Sequence, residues 1–187
     1  MRNATLANLG MVVGSAVAFG ITGNTAYVAE VLHDGADTGS HGSRYLAEKR
    51  NINQDTIKFK RFLKAGLLSV SMLSGYTAYR LGIEVKVGNI QHNSLNENLT
   101  NVFGATTIAV GNTYAFVQIN SLEEHSNASE ASLNHAQVDM VASWGLASSI
   151  VMETAGAEGA SKWGGFLFAA YTAGHLALHA IKPHDAQ

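Results

Sequence analysis

The sequence contains no cysteine. That excludes a disulfide framework, a thiolate metal site and a cysteine nucleophile. Any metal chemistry must therefore use His, Asp or Glu, a donor set suited to zinc, manganese and similar ions. Proline is nearly absent as well, with Pro183 alone among 187 residues. Turn punctuation is too sparse for a β-rich fold. Charge is also scarce: charged residues make up 14% of the chain, against about 25% in a typical soluble domain. With 12 basic and 14 acidic residues the net charge is -2. Such a chain has no overall attraction for nucleic acid, and no nucleic-acid partner is expected.

What is present is small and apolar. The chain has 19 glycines and a 47% hydrophobic content, a mixture that fits long helices packed closely through small residues. Six segments lack strong helix breakers: about residues 4–22, 24–46, 65–83, 99–119, 130–153 and 163–181. Each is near the ~20 residues a membrane-spanning helix needs. The expected fold is all-α, a polytopic membrane protein of six transmembrane helices. The first segment contains GMVVG, a small-xxx-small spacing that lets helices approach closely. A signal peptide would also fit its start, where Arg2 precedes an apolar run. The mean hydropathy of +0.06 is low for a polytopic membrane protein and high for a soluble chain so poor in charge.

Between the second and third segments lie Arg44, Lys49, Arg50, Lys58, Lys60, Arg61 and Lys64. The positive-inside rule places that loop in the cytoplasm. An even number of spans then places both termini there too, in agreement with Arg2 and Lys182. A soluble helical bundle with a basic loop is the competing reading.

The chemistry is concentrated in two of the segments. AEVLHDGAD places His33 four residues before Asp37, and NHAQVD places His135 four residues before Asp139. Four residues along an α-helix is about 6 Å of rise and roughly 40° of rotation, so each pair points to one side. Glu30 shares the His33 face. Asp34, turned roughly 100° from His33, should look elsewhere or sit nearer the surface. Two imidazoles and two carboxylates match tetrahedral zinc. An ionised aspartate at the centre of a membrane helix costs about 2.5–3.5 kcal/mol on insertion scales. A divalent cation held between two of them reverses that balance. Direct His–Asp hydrogen bonds tying the bundle together are the alternative. HLALH repeats the spacing with His175 and His179, as a ligand pair or as interfacial histidines. Glu123, Glu124 and His125 read as an acidic loop, His41 as an extension of the site, and Glu153 as a residue facing the same pathway. No nucleophile–base–orienter set is evident, so an enzyme is not expected.

With the two HxxxD motifs placed, the sequence resembles the cation diffusion facilitator family of zinc transporters. The likeness runs through GITGNTAYVAEVLHDGAD and SEASLNHAQVDMVASWGLASS, and more weakly over about residues 5–182. The resemblance implies a six-helix transmembrane domain with both termini cytoplasmic and a metal site between helices two and five. The implied ligands are His33, Asp37, His135 and Asp139. A histidine opening both motifs is typical of zinc-preferring members; Cd2+ and Co2+ share such ligands. The resemblance also implies homodimers and export by exchange against protons. Residues 1–187 are expected to form a single transmembrane domain with no C-terminal cytoplasmic metal-binding domain. The loop KRNINQDTIKFKR lacks the family's histidine- and glycine-containing motif, so a second, interfacial metal site is not expected. The leading expectation is a proton-coupled zinc transporter working by alternating access in lipid. A membrane metal-binding protein that moves nothing, or a soluble helical metalloenzyme, are the rivals.

Overall fold

The computed structural model describes residues 2–54, 56–87, 95–120 and 127–181. Every regular element among them is an α-helix: α1 (Arg2–Thr22), α2 (Ala26–Lys49), α3 (Ile57–Val87), α4 (Leu95–Asn120), α5 (Asn127–Thr154) and α6 (Ala160–Ile181). The all-α reading and its six elements hold, with one shift. Helix α3 begins well before residue 65 because Thr56 caps it, its hydroxyl accepting from the Phe59 N–H at 3.4 Å. The basic stretch is therefore mostly helical. Arg44 and Lys49 lie at the end of α2, and Lys58, Lys60, Arg61 and Lys64 at the start of α3.

Tight connections set the neighbours. Gly23 ends α1 at φ 65, and its N–H bonds the Phe19 carbonyl at 2.7 Å, a left-handed cap that suits glycine. Asn24 then accepts from the Ala26 N–H at 3.0 Å and opens α2. Between α5 and α6, Glu153 accepts from the Ser161 N–H at 2.6 Å. This carboxylate caps α6, where the helix dipole favours negative charge.

Helices α1 and α2, α4 and α5, and α3 and α6 form the closest pairs. Two apolar clusters result. One joins Ala18, Ala26, Tyr27, Ala105, Ile108, Ala109, Leu146, Ala147 and Ile150, from α1, α2, α4 and α5. The other joins Ala29, Ala78, Phe168 and Ala169, from α2, α3 and α6. Helix α2 belongs to both, so it is walled in by neighbours on most sides. The Tyr27 hydroxyl donates to the Asn101 carbonyl, tying α2 to α4.

The GMVVG pair does not serve these contacts. Nothing lies within 4 Å of a side chain built at Gly10 or Gly14. Both face outward, because the inward stripe of α1 is Met11, Ser15, Ala18 and Thr22. Close approach occurs at Gly165 instead, where an added Cβ would meet the Ala26 Cα at 2.9 Å.

The distribution of polarity is inverted relative to a water-soluble bundle. Large apolar side chains face out, among them Met72, Phe103, Leu167 and Tyr114, while Ser15, Glu30, His33, Asp34, Asn101, Asn112, Asp139 and Thr172 are buried. Soluble interiors rarely hold so many ionisable groups. Among the described residues, no helix is long and apolar enough to cross a membrane on hydropathy alone.

Replacing Gly165 with alanine should force α6 away from α2. The expected loss is roughly 1–3 kcal/mol, the usual range for overpacking, read as a lower melting temperature in detergent. An unchanged melting temperature would show that the two helices do not need this approach.

Candidate metal centre

Helix α2 delivers Glu30, His33, Asp34 and Asp37 from two consecutive turns, and α5 delivers Asp139. His33 is 0% exposed, Glu30 and Asp34 1%, Asp37 and Asp139 7%. Of the two expectations for Asp34, looking away from His33 or sitting nearer the surface, the burial excludes the second. Because α1, α3 and α6 all pack on α2, a rotation of 100° from His33 leads into another helix and not into solvent.

His33 is the hub. Its Nε2 lies 2.9 Å from Asp139 Oδ1 and 3.9 Å from Asp37 Oδ2. A carboxylate accepts, so Nε2–H donates to Asp139. The Thr172 hydroxyl of α6 lies 3.4 Å from Nδ1, and donates to it or accepts from it according to whether that nitrogen carries a hydrogen. Phe168 packs edge-on against the imidazole, with ring centroids 5.4 Å apart. The strongest contact is therefore between helices, from the first motif to the second, and the i, i+4 partner within α2 stands farther off.

One donor atom from each of His33, Asp37 and Asp139 lies within 4.8 Å of the others. Tetrahedral zinc with bonds of about 2.0–2.2 Å needs its donors roughly 3.4 Å apart. A small inward movement of Asp37, with release of the His33–Asp139 hydrogen bond, brings these three to that spacing. The structure thus brings together three of the four expected ligands. His135 belongs to the helical backbone of α5, one turn before Asp139; its side chain lies outside the described residues, as do those of His41, Glu123, Glu124 and His125.

The surroundings call for a cation. Helix α5 carries no lysine or arginine, α2 has none before Arg44, and the one in α6, Lys162, pairs with Glu84 at 3.7 Å at the far end. Glu30 Oε2 and Asp34 Oδ2 are buried and lack hydrogen-bond partners. Beside the pair, Asn112 donates to the Ser143 hydroxyl at 2.6 Å, adding a polar contact between α4 and α5 one turn from Asp139. Four carboxyl groups gathered near one imidazole make an oxygen-rich interior in which a divalent ion would find donors.

Sequence reasoning missed Thr172. A lone threonine in an apolar helix carries no signal; only the fold shows that it meets the second nitrogen of His33. Such outer partners fix the orientation of a ligating imidazole.

The cation efflux transmembrane domain family matches residues 1–182 of the chain. A search among curated proteins finds no match. The family match covers nearly the whole sequence, and the chain belongs to that family, whose members are membrane proteins that transport divalent cations and not enzymes.

Thr172→Val should weaken divalent-metal binding by about 10–100-fold, the usual effect of losing a group that orients a ligand. Calorimetric titration of the purified protein with Zn2+ checks this. Equal affinity would mean that the imidazole is oriented by other contacts.

Proposed function

We propose that this member of the cation efflux family exports zinc in exchange for protons, through a tetrahedral site of His33, Asp37, His135 and Asp139. The observation that carries the reading is the cluster of His33, Asp37 and Asp139 donors within 4.8 Å, buried where α2 meets α5. His135 supplies the fourth donor from the turn before Asp139. Two nitrogens and two oxygens suit zinc, and Cd2+ or Co2+ can share them.

Proton coupling follows from one atom. Nε2 of His33 carries the hydrogen donated to Asp139 in the metal-free arrangement. Zinc needs the lone pair on that nitrogen, so the proton must leave before the metal can bind. For a net proton to be exchanged, His33 must start as the imidazolium, with Nε2–H on Asp139 and Nδ1–H on the Thr172 hydroxyl; the Nε2 proton is lost to water and Nδ1–H stays in place. Protons arriving from the far side reverse these steps and release the ion. A proton gradient across the bilayer thus drives the cycle, because metal and proton compete for one nitrogen.

The ring of outward apolar side chains is what lipid selects, and the buried polar groups are what a transport pathway needs. The helices would cross the bilayer six times as one domain over residues 1–187. Basic residues at the junction of α2 and α3 favour the cytoplasm for that end. In an up-and-down bundle the same end holds the start of α1 and the end of α6, so both termini would be cytoplasmic. A homodimer is the expected assembly in lipid.

Zinc flux into proteoliposomes should rise when the lumen is acidic, and should be accompanied by proton loss from it, followed with a trapped pH dye. Asp37→Ala and Asp139→Ala should each abolish flux while leaving membrane insertion intact. Undiminished transport in either variant would sink the site; occupancy without flux would identify a binder that moves nothing.

A further inference from the structure

We infer that His175 and His179, near the C-terminal end of α6, form a second and shallower binding site for the same class of borderline divalent cation, on the approach to the buried centre. The inference rests on the zinc-transport reading above for its role, though not for its geometry.

The two imidazoles are one turn apart with ring centroids 4.4 Å from each other. An i, i+4 histidine pair on one helical face is an established zinc-binding arrangement in helices. Two ring nitrogens can be brought to one ion by small side-chain rotations, with water completing the shell. Access also fits. His179 is exposed and His175 half-buried, so an ion can arrive from outside at the first and be held at the second.

The pair is not isolated from the main site. Tyr171 stacks on His175 with centroids 5.3 Å apart, and on its other side stands 6.3 Å from the His33 ring. A continuous file of rings thus runs along α6 from the exposed His179 to the buried ligand. The Tyr171 hydroxyl is buried and has no hydrogen-bond partner.

Charge at this end explains why imidazole is the right donor. Helix α3 runs antiparallel to α6, with Ser71 donating to the Ala173 carbonyl at 2.7 Å. Continuing that register places Lys64 near the level of the pair, at the basic junction of α2 and α3. A basic rim repels free cations, so capture there must rely on coordination by neutral nitrogen rather than on attraction of charge.

The test is calorimetric titration of the full chain in detergent with Zn2+ alone at pH 7.5. Wild type should show a tight and a weaker site. His179→Asn and His175→Asn should each weaken the second by at least tenfold and spare the first. Asp139→Asn should do the converse. His179 is exposed, so His179→Asn should fold even if His175→Asn does not. Retention of both binding constants in His179→Asn overturns the inference, as does a wild type with the tight site alone. Loss of neither site in Asp139→Asn would count against the buried centre while leaving the α6 pair standing.

Discussion

Much of this molecule is arranged around a hydrogen bond between His33 on α2 and Asp139 on α5, 2.9 Å long and closed to solvent. An imidazole and a carboxylate are costly to bury separately and tolerable only together. Their pairing fixes the register of two helices that are far apart in sequence. It also gathers Glu30, Asp34 and Asp37 into the same interior, because they share two turns with His33. The helix that carries this charge has to be enclosed. That explains why α2 lies within both apolar clusters, and why Gly165 must let it approach α6 so closely.

The charged interior governs the exterior. With polar groups collected inside, the apolar side chains of each helix face outward. The chain therefore looks inverted beside a soluble bundle, and its helices look too polar when averaged along their length.

These features bear on what could be read from the sequence. The six elements were legible because proline and strong breakers are missing inside them, and their ends carry caps such as Thr56 and Gly23. His33, Asp37 and Asp139 were legible because paired ionisable residues stand out in a chain so poor in charge. For Asp34, helical rotation gave a direction away from His33 and left open what occupies it. The GMVVG pair was misjudged, because small residues permit close contact, while the side of α1 that makes it is decided by Ser15 and Met11. The capping of α6 by Glu153 was not legible, because it depends on a turn whose geometry composition does not reveal. Thr172 could not be found at all, as its significance lies wholly in meeting a ring nitrogen from another helix.

The centre also stands at a mechanical boundary. His33 belongs to α2, its carboxylate partner to α5 in the first cluster, and its hydroxyl partner to α6 in the second. The two apolar clusters are packed units that meet along α2, and packed units slide more readily than they deform. Sliding of α3 and α6 past the others would change the Thr172 contact at 3.4 Å before it changed the shorter bond to Asp139. The first effect of such a movement would therefore be on the Nδ1 side of the ring, where the Thr172 hydroxyl helps to hold a hydrogen. The state of the imidazole and the relative position of the two helix groups are then linked through one ring. The exchange proposed above needs that linkage, because an ion released without it could leave toward the side from which it came.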